Sequence, residues 1–150
     1  MADTHAHHDH HAHRHAGAAE DDYTDLLDLD AEVLRDYWSD ALDWVQSVAA
    51  ATARTRLLDL GAGTGTGAIG LARRFPDAEV IALDVSPVSL AKIGAKAAAA
   101  GLAERVHPVE ADLDAGWPDL GLLDLTWASA SLHHMADPEG NEFCVEPGPA

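Results

Sequence analysis

The sequence predicts an α/β protein built on a doubly wound, mainly parallel sheet. Three observations predict it. From Arg56 onward, short apolar runs alternate with stretches of helical periodicity. The first run opens into a glycine-rich turn, Gly61 to Gly67. Acidic residues stand at or near the ends of successive runs, at Asp59, Asp84 and Asp112. Strands alternating with helices imply right-handed crossovers and a sheet covered on both faces.

The elements follow in order. Residues 1–22 hold seven of the ten histidines among alanine, Asp3, Asp9 and Arg14, with nothing to build a core from. A disordered histidine-rich tail is expected there. Its imidazoles offer many weak chelates in a flexible chain and no defined geometry, so no metal site is expected. Residues 23–55 form an N-terminal helical cap. Leu34, Tyr37, Trp38, Ala41, Val45 and Val48 recur at helical spacing, Asp30 is the expected N-cap, and a short turn of helix precedes it at Leu26 to Leu29. Core packing is the expected role of Tyr37 and Trp38.

Residues 56–137 form the expected core. Arg56 to Leu60 is a strand, and after the glycine turn a helix carries Ala68, Leu71, Ala72 and Phe75 on one face and stops at Pro76. Glu79 to Asp84 is the second strand. Ser86 and Pro87 are the N-cap and first position of a helix that Gly101 closes. Arg105 to Glu110 is the third strand and Leu122 to Trp127 the fourth. Residues 138–150 hold three of the seven prolines and no periodicity, and read as an irregular tail.

Composition limits the partners. The 150 residues carry 26 acidic and nine basic side chains, a formal charge of −17, and protonating every histidine would leave −7. Such a field repels phosphate backbones and anionic lipid, so no nucleic acid and no membrane partner is expected, and a small molecule or a protein is the expected substrate. The single Cys144 excludes an intrachain disulfide. The polar N-terminus lacks a signal-peptide pattern, and a cytoplasmic location is the expectation.

The glycine loop Leu60-Gly61-Ala62-Gly63-Thr64-Gly65 lets backbone approach a ligand closely. A dinucleotide fingerprint starting at Gly61 puts Thr66 at its third glycine; one starting at Gly63 (Gly63, Gly65, Ala68) begins two residues late. Asp59 needs a partner if buried, and a cofactor with cationic groups would supply one where pyrophosphate would be repelled; loop amides are the alternative. Asp84, about 20 residues past the loop, suits the two hydroxyls of a ribose, or else caps the helix after Ser86. Asp112 could accept from an adenine amino group while Leu113 and Val85 pack on the ring; a solvated loop residue is the alternative.

These segments resemble the class I, Rossmann-like S-adenosylmethionine-dependent methyltransferases in four motifs in order: Leu57 to Gly65, Val80 to Asp84, Val109 to Leu113, and Leu123 to His134. The resemblance covers about 80 residues plus the N-terminal helix, which is similar to the family's cap over the cofactor. It implies S-adenosyl-L-methionine as cofactor, with Gly61, Gly63 and Gly65 around its methionyl part and Asp59 near its ammonium. Asp84 would hold the ribose, Val85, Asp112 and Leu113 the adenine, and Ala128 and Ser129 would run beneath the sulfonium. His133 and His134 are the candidates for a catalytic base, with loop residues bonded to backbone as the alternative.

The family fold has seven strands ordered 3-2-1-4-5-7-6, of which this sequence supplies 3-2-1-4. The expectation is therefore a C-terminally truncated chain that self-associates through an exposed fourth strand. Two functions follow. One is a methyltransferase, or its cofactor-binding portion, acting on a small molecule; the other is a non-catalytic remnant or a histidine-rich metal-binding protein on a methyltransferase-like fold.

Overall fold

The computed structural model describes residues 22–49, 55–129, 135–136 and 142–143. Two helices come first, α1 (residues 22–33) and α2 (Arg35–Ala49). Then β1 (Arg56–Leu60), α3 (Thr66–Arg74), β2 (Glu79–Asp84), α4 (Pro87–Ala99), β3 (Val106–Glu110) and β4 (Leu125–Ala128) follow. The four strands make one parallel sheet in the order β3-β2-β1-β4, with Asp59 opposite Ala82 on one side and Trp127 on the other. Among the described residues β4 pairs with β1 alone. A two-residue antiparallel ladder joins β5 (Met135–Ala136) to β6 (Glu142–Phe143), so the segment read as irregular contributes a strand.

The local chemistry of the sequence accounts for several boundaries. Ser86 caps α4, its hydroxyl accepting from the Ser89 amide at 3.2 Å, and Pro87 opens the helix as expected. Gly101 closes it at φ 70. The third strand starts one residue later than expected because Arg105 is drawn away to α3. Its guanidinium donates to the carbonyls of Ala72, Phe75 and Ala78, at 2.9, 3.2 and 3.2 Å, at the C-terminal end of that helix. The fourth strand starts at Leu125 and not at Leu122. Asp124 turns its carboxylate onto the start of β1, accepting from the Thr55 and Arg56 amides at 2.8 and 3.0 Å.

Strand residues alternate between two faces. Leu57, Val80, Ala82 and Val106 join Leu42 and Val45 of α2, Leu71 and Ala72 of α3, and Ile93 and Ala97 of α4. Leu58, Leu60, Ile81 and Leu83 point the other way and meet Leu120, with half-buried Leu113 and Leu123 beside them. Helices α2, α3 and α4 thus share one face. The sheet is covered on both faces as expected, but among the described residues the second is covered by the β3–β4 connection and not by a helix. That connection carries Gly116, Pro118 and Gly121, the two glycines at φ 138 and 67, which stop a helix from forming.

The N-terminal reading needs a correction. Asp30 lies inside a helix already formed at residue 22, the first described, and the i to i−4 bonds run on through Leu34 (Leu34 N to Asp30 O, 2.8 Å; Trp38 N to Leu34 O, 2.9 Å). The buried face of α2 is Leu42, Val45 and Ala49, while Leu34, Tyr37 and Val48 are about half exposed. Apolar residues form one continuous arc wider than the part that is buried, so periodicity alone does not choose which part faces the core.

Gly70 is where α2 and α3 touch: a Cβ there would run into Leu42. Gly94 in α4 has nothing within 4 Å of that position. Gly70→Ala should therefore destabilise by ~1–3 kcal/mol, the usual cost of overpacking a core. Gly94→Ala should be neutral or stabilise by up to ~1 kcal/mol through helix propensity. Urea unfolding followed by circular dichroism measures both.

Candidate functional site

The carboxyl ends of β1, β2 and β3 surround a cavity of about 310 Å³. Open parallel sheets bind ligands at that edge, near the strand where the order reverses. Its lining includes Gly61 from the glycine loop, Asp84 and Val85 after β2, and Asp112, Leu113 and Asp114 after β3. Five residues expected from the sequence therefore meet there: Gly61, Asp84, Val85, Asp112 and Leu113. The chemistry of the lining is uneven. Among the described residues it presents three carboxylates and apolar surface from Leu83, Val85, Ala111 and Leu113, with no cationic side chain.

Asp84 holds the loop in shape. Its Oδ2 accepts from the Gly63 amide at 2.7 Å and its Oδ1 from the Ser86 amide at 2.9 Å. Each carboxylate oxygen has two acceptor directions, so one on each stays open for a ligand hydroxyl. The capping and ligand readings of Asp84 are thus compatible. Gly63 and Gly65 sit at φ 52 and 91, where a side chain would be strained, and a Cβ on Gly65 would lie 2.9 Å from Ile93. Asp112 is exposed, and its Oδ1 accepts from the Asp114 amide at 2.9 Å.

Asp59 stands apart from this cavity. It is only 3% exposed and lies beneath the start of α3. The N-cap of that helix is Gly65, which offers no side chain, and the Asp59 carboxylate accepts the Ala68 amide in its place. Gly67 makes the approach feasible: a Cβ there would lie 2.7 and 2.9 Å from the two Asp59 oxygens and 2.8 Å from Trp127 Nε1. Asp59 Oδ2 and Trp127 Nε1 are both buried with no hydrogen-bond partner. Burial pushes the Asp59 carboxyl up to about 7; the Ala68 amide opposes the rise and the Asp84 charge adds to it. Gly65 faces a different groove, between α3 and α4. Ala128 and Ser129 lie at and just beyond the end of β4, outside the cavity lining. His133 and His134 lie outside the described residues.

Helix α1 is fastened over the glycine loop by contacts that the sequence reading missed. Lys96 donates to the Thr64 carbonyl at 2.9 Å and to Asp28, which also accepts from the buried Thr64 hydroxyl. Lys92 pairs with Asp25 at 2.6 Å. Burial alone would raise the Asp28 carboxyl, but hydrogen bonds from Lys96 and Thr64 and the charges of Lys96 and Lys92 outweigh it and leave it below its ordinary value. Asp28 and Lys96 are 68 residues apart, and no local pattern announces the pair. Trp127 was missed as well: the parallel register puts it beside Asp59 on the same face.

With this geometry in view, the comparisons with known proteins assign the class. Residues 57–146 match the model of a family described as a methyltransferase domain. The chain belongs to that family, of the Rossmann-like, S-adenosylmethionine-dependent class. It is 37% identical over 101 residues to a malonyl-[acyl-carrier protein] O-methyltransferase of Dechloromonas aromatica, covering 65% of this chain and 38% of that protein. It is 42% identical over 67 residues to a release factor glutamine methyltransferase of Gloeobacter violaceus, covering 45% and 22%. The chain therefore spans well under half the length of these relatives. A solved S-adenosylmethionine-dependent methyltransferase of Thiobacillus denitrificans shares the fold, with a TM-score of 0.51 and 24% identity over 60% of this chain and 36% of that one.

Raised in the folded state from 3.8 to about 7, Asp59 keeps its proton longer when buried than when unfolded. Its neutral form thus contributes stability that is fully present below pH ~4, declines as pH rises, and is lost by about pH 7. Asp59→Asn cannot ionise. The two proteins should have similar stability at pH 4 and diverge toward pH 8, where the aspartate form should be weaker by an amount on the order of a few kcal/mol. Urea midpoints measured across that range give the difference, and parallel curves would mean that Asp59 has a solvated pKa.

Proposed function

We propose that this chain binds S-adenosyl-L-methionine at the β1–β3 edge and serves methyl transfer to a small-molecule acceptor. The observation that carries this reading is the acid-lined cavity without a cation. A nicotinamide dinucleotide would bring a pyrophosphate to three carboxylates, whereas an adenosine carrying a sulfonium and an ammonium brings no anionic phosphate. The residues present suit the adenosine half. Asp84 is set to accept from the ribose hydroxyls, and Asp112 from an exocyclic amine with Val85 and Leu113 against the ring. Gly61 leaves room for the chain between them. When bound, the cofactor supplies a methyl group on a positively charged sulfur, already activated for displacement.

What the protein adds is position and dryness. Asp84 holds the Gly63 amide and so fixes the loop that would surround the methionyl part. Helix α1 lies over that loop through Lys92 and Lys96, limiting water there. Asp59 is buried beneath the loop, so its influence on a ligand ammonium would be through the field and not through contact. His133 and His134 are the proposed base where an acceptor must lose a proton. The charge of −17 favours a small acceptor over a polyanion such as nucleic acid. The outer edge of β4 is the proposed route for self-association.

The test is calorimetry with S-adenosylhomocysteine and with NAD, alongside a methylation assay on a panel of small alcohols, amines and carboxylic acids. S-adenosylhomocysteine should bind more tightly than NAD, and Asp84→Ala should weaken that binding by ~1–3 kcal/mol, as expected when hydrogen bonds to a charged acceptor are lost. Tighter binding of NAD, or indifference to Asp84→Ala, would overturn the assignment.

A further inference from the structure

Seven of the eleven large apolar side chains exposed among the described residues lie on α1 and α2, and an eighth, Leu34, joins the two helices. Five of them, Leu26, Val33, Tyr37, Trp44 and Val48, are separated by seven, four, seven and four residues. That spacing lines them up along one side of a helix at 3.6 residues per turn. The stripe lies away from Leu42, Val45 and Ala49, which face the core. It is well exposed at its centre, with Val33 at 74% and Trp44 at 65%. Such a continuous apolar surface on a charged protein marks an interaction site.

Charge indicates what covers it. Asp30 and Asp40 lie in or beside the stripe, and neither has a side-chain partner among the described residues. By contrast Asp25, Asp28 and Asp43, on other sides of the same helices, are paired with Lys92, Lys96 and Arg74. The stripe itself carries no basic residue; Arg35 projects elsewhere and pairs with Glu32. A second copy of the chain would press these carboxylates against like charges in a seam that excludes water.

We propose that the exposed side of α1–α2 docks a basic amphipathic helix of a partner protein. Its apolar side chains cover Tyr37 and Trp44, and its lysines or arginines meet Asp30 and Asp40. This is helix-on-helix recognition, with aromatic anchors giving affinity and complementary charge giving orientation and choice of partner. It does not depend on the methyl-transfer reading.

The experiment uses the full chain and labelled synthetic peptides of about 22 residues, matched to the stripe at ~1.5 Å per residue. One peptide places leucines on one helical side and lysines on the other. The second scrambles the same composition, and the third replaces lysine with glutamate. Fluorescence anisotropy should give at least about ten-fold tighter binding of the first peptide than of either control, weakening with salt. Val33→Ser with Trp44→Ser should lower it about ten-fold at unchanged melting temperature, since both side chains are exposed. Asp30→Lys with Asp40→Lys should shift preference to the glutamate peptide, whereas Asp77→Lys, off the stripe, should not. Equal binding of the scrambled peptide would overturn the proposal by showing charge attraction alone. So would sedimentation of the wild-type chain as a dimer that Trp44→Ser dissolves, because the stripe would then belong to a second copy.

Discussion

A carboxylate almost without solvent, Asp59, organises the centre of this molecule. It is the last residue but one of the strand that pairs on both sides, and the helix after the glycine loop begins on top of it. Gly65 cannot cap α3, so Asp59 accepts the Ala68 amide from below, with the positive end of the helix dipole above it. Gly67 must lack a side chain for this to happen, and Trp127 on β4 fills the remaining space. The loop conformation, the position of α3 and the packing of the fourth strand all follow from one buried acid and the small residues that admit it.

The same acid bears on the electrostatics of the cavity. Asp84 is near enough to raise the Asp59 carboxyl further, and Asp112 and Asp114 stand on the cavity rim. A cationic ligand entering there relieves repulsion that the free protein carries, which is an unfavourable arrangement for stability and a useful one for recognition. The net charge of −17 extends this preference over the whole surface. An anionic ligand faces a cost at the cavity and at long range alike.

How much of this was legible depended on whether the cause was local. The strand Glu79–Asp84, the Ser86 and Pro87 start of α4 and the Gly101 stop are set by neighbouring residues and were read from them. The sheet order came from family likeness and matches the paired registers. Five residues of the cavity lining were legible because strand ends in an open sheet converge on one edge. The start of β4 was misplaced because Asp124 answers to Thr55 and Arg56, nearly seventy residues back. The buried face of α2 was read only in part, because its apolar arc runs from exposed Trp44 and Tyr37 round to buried Leu42, and only the position of α3, at Gly70 and Leu42, shows which end is covered. That the second face is covered by an irregular connection was hidden because alternation of elements does not tell whether a connection will coil, and Gly116, Pro118 and Gly121 prevent it here.

The clasp on α1 has a chemical consequence. Lys92 and Lys96 are the only lysines in the sequence, and both hold that helix, one through Asp25 and the other through Asp28 and the Thr64 carbonyl. Acetyl groups, succinyl groups and amine-reactive labels seek lysine ammonium groups, and apart from the amino terminus this chain gives them nowhere else to go. Each such adduct cancels a charge that the covering helix relies on. The attachment of α1 to the glycine loop is thus the one structural joint that acylation can reach, and a mass shift at either lysine would report its loosening.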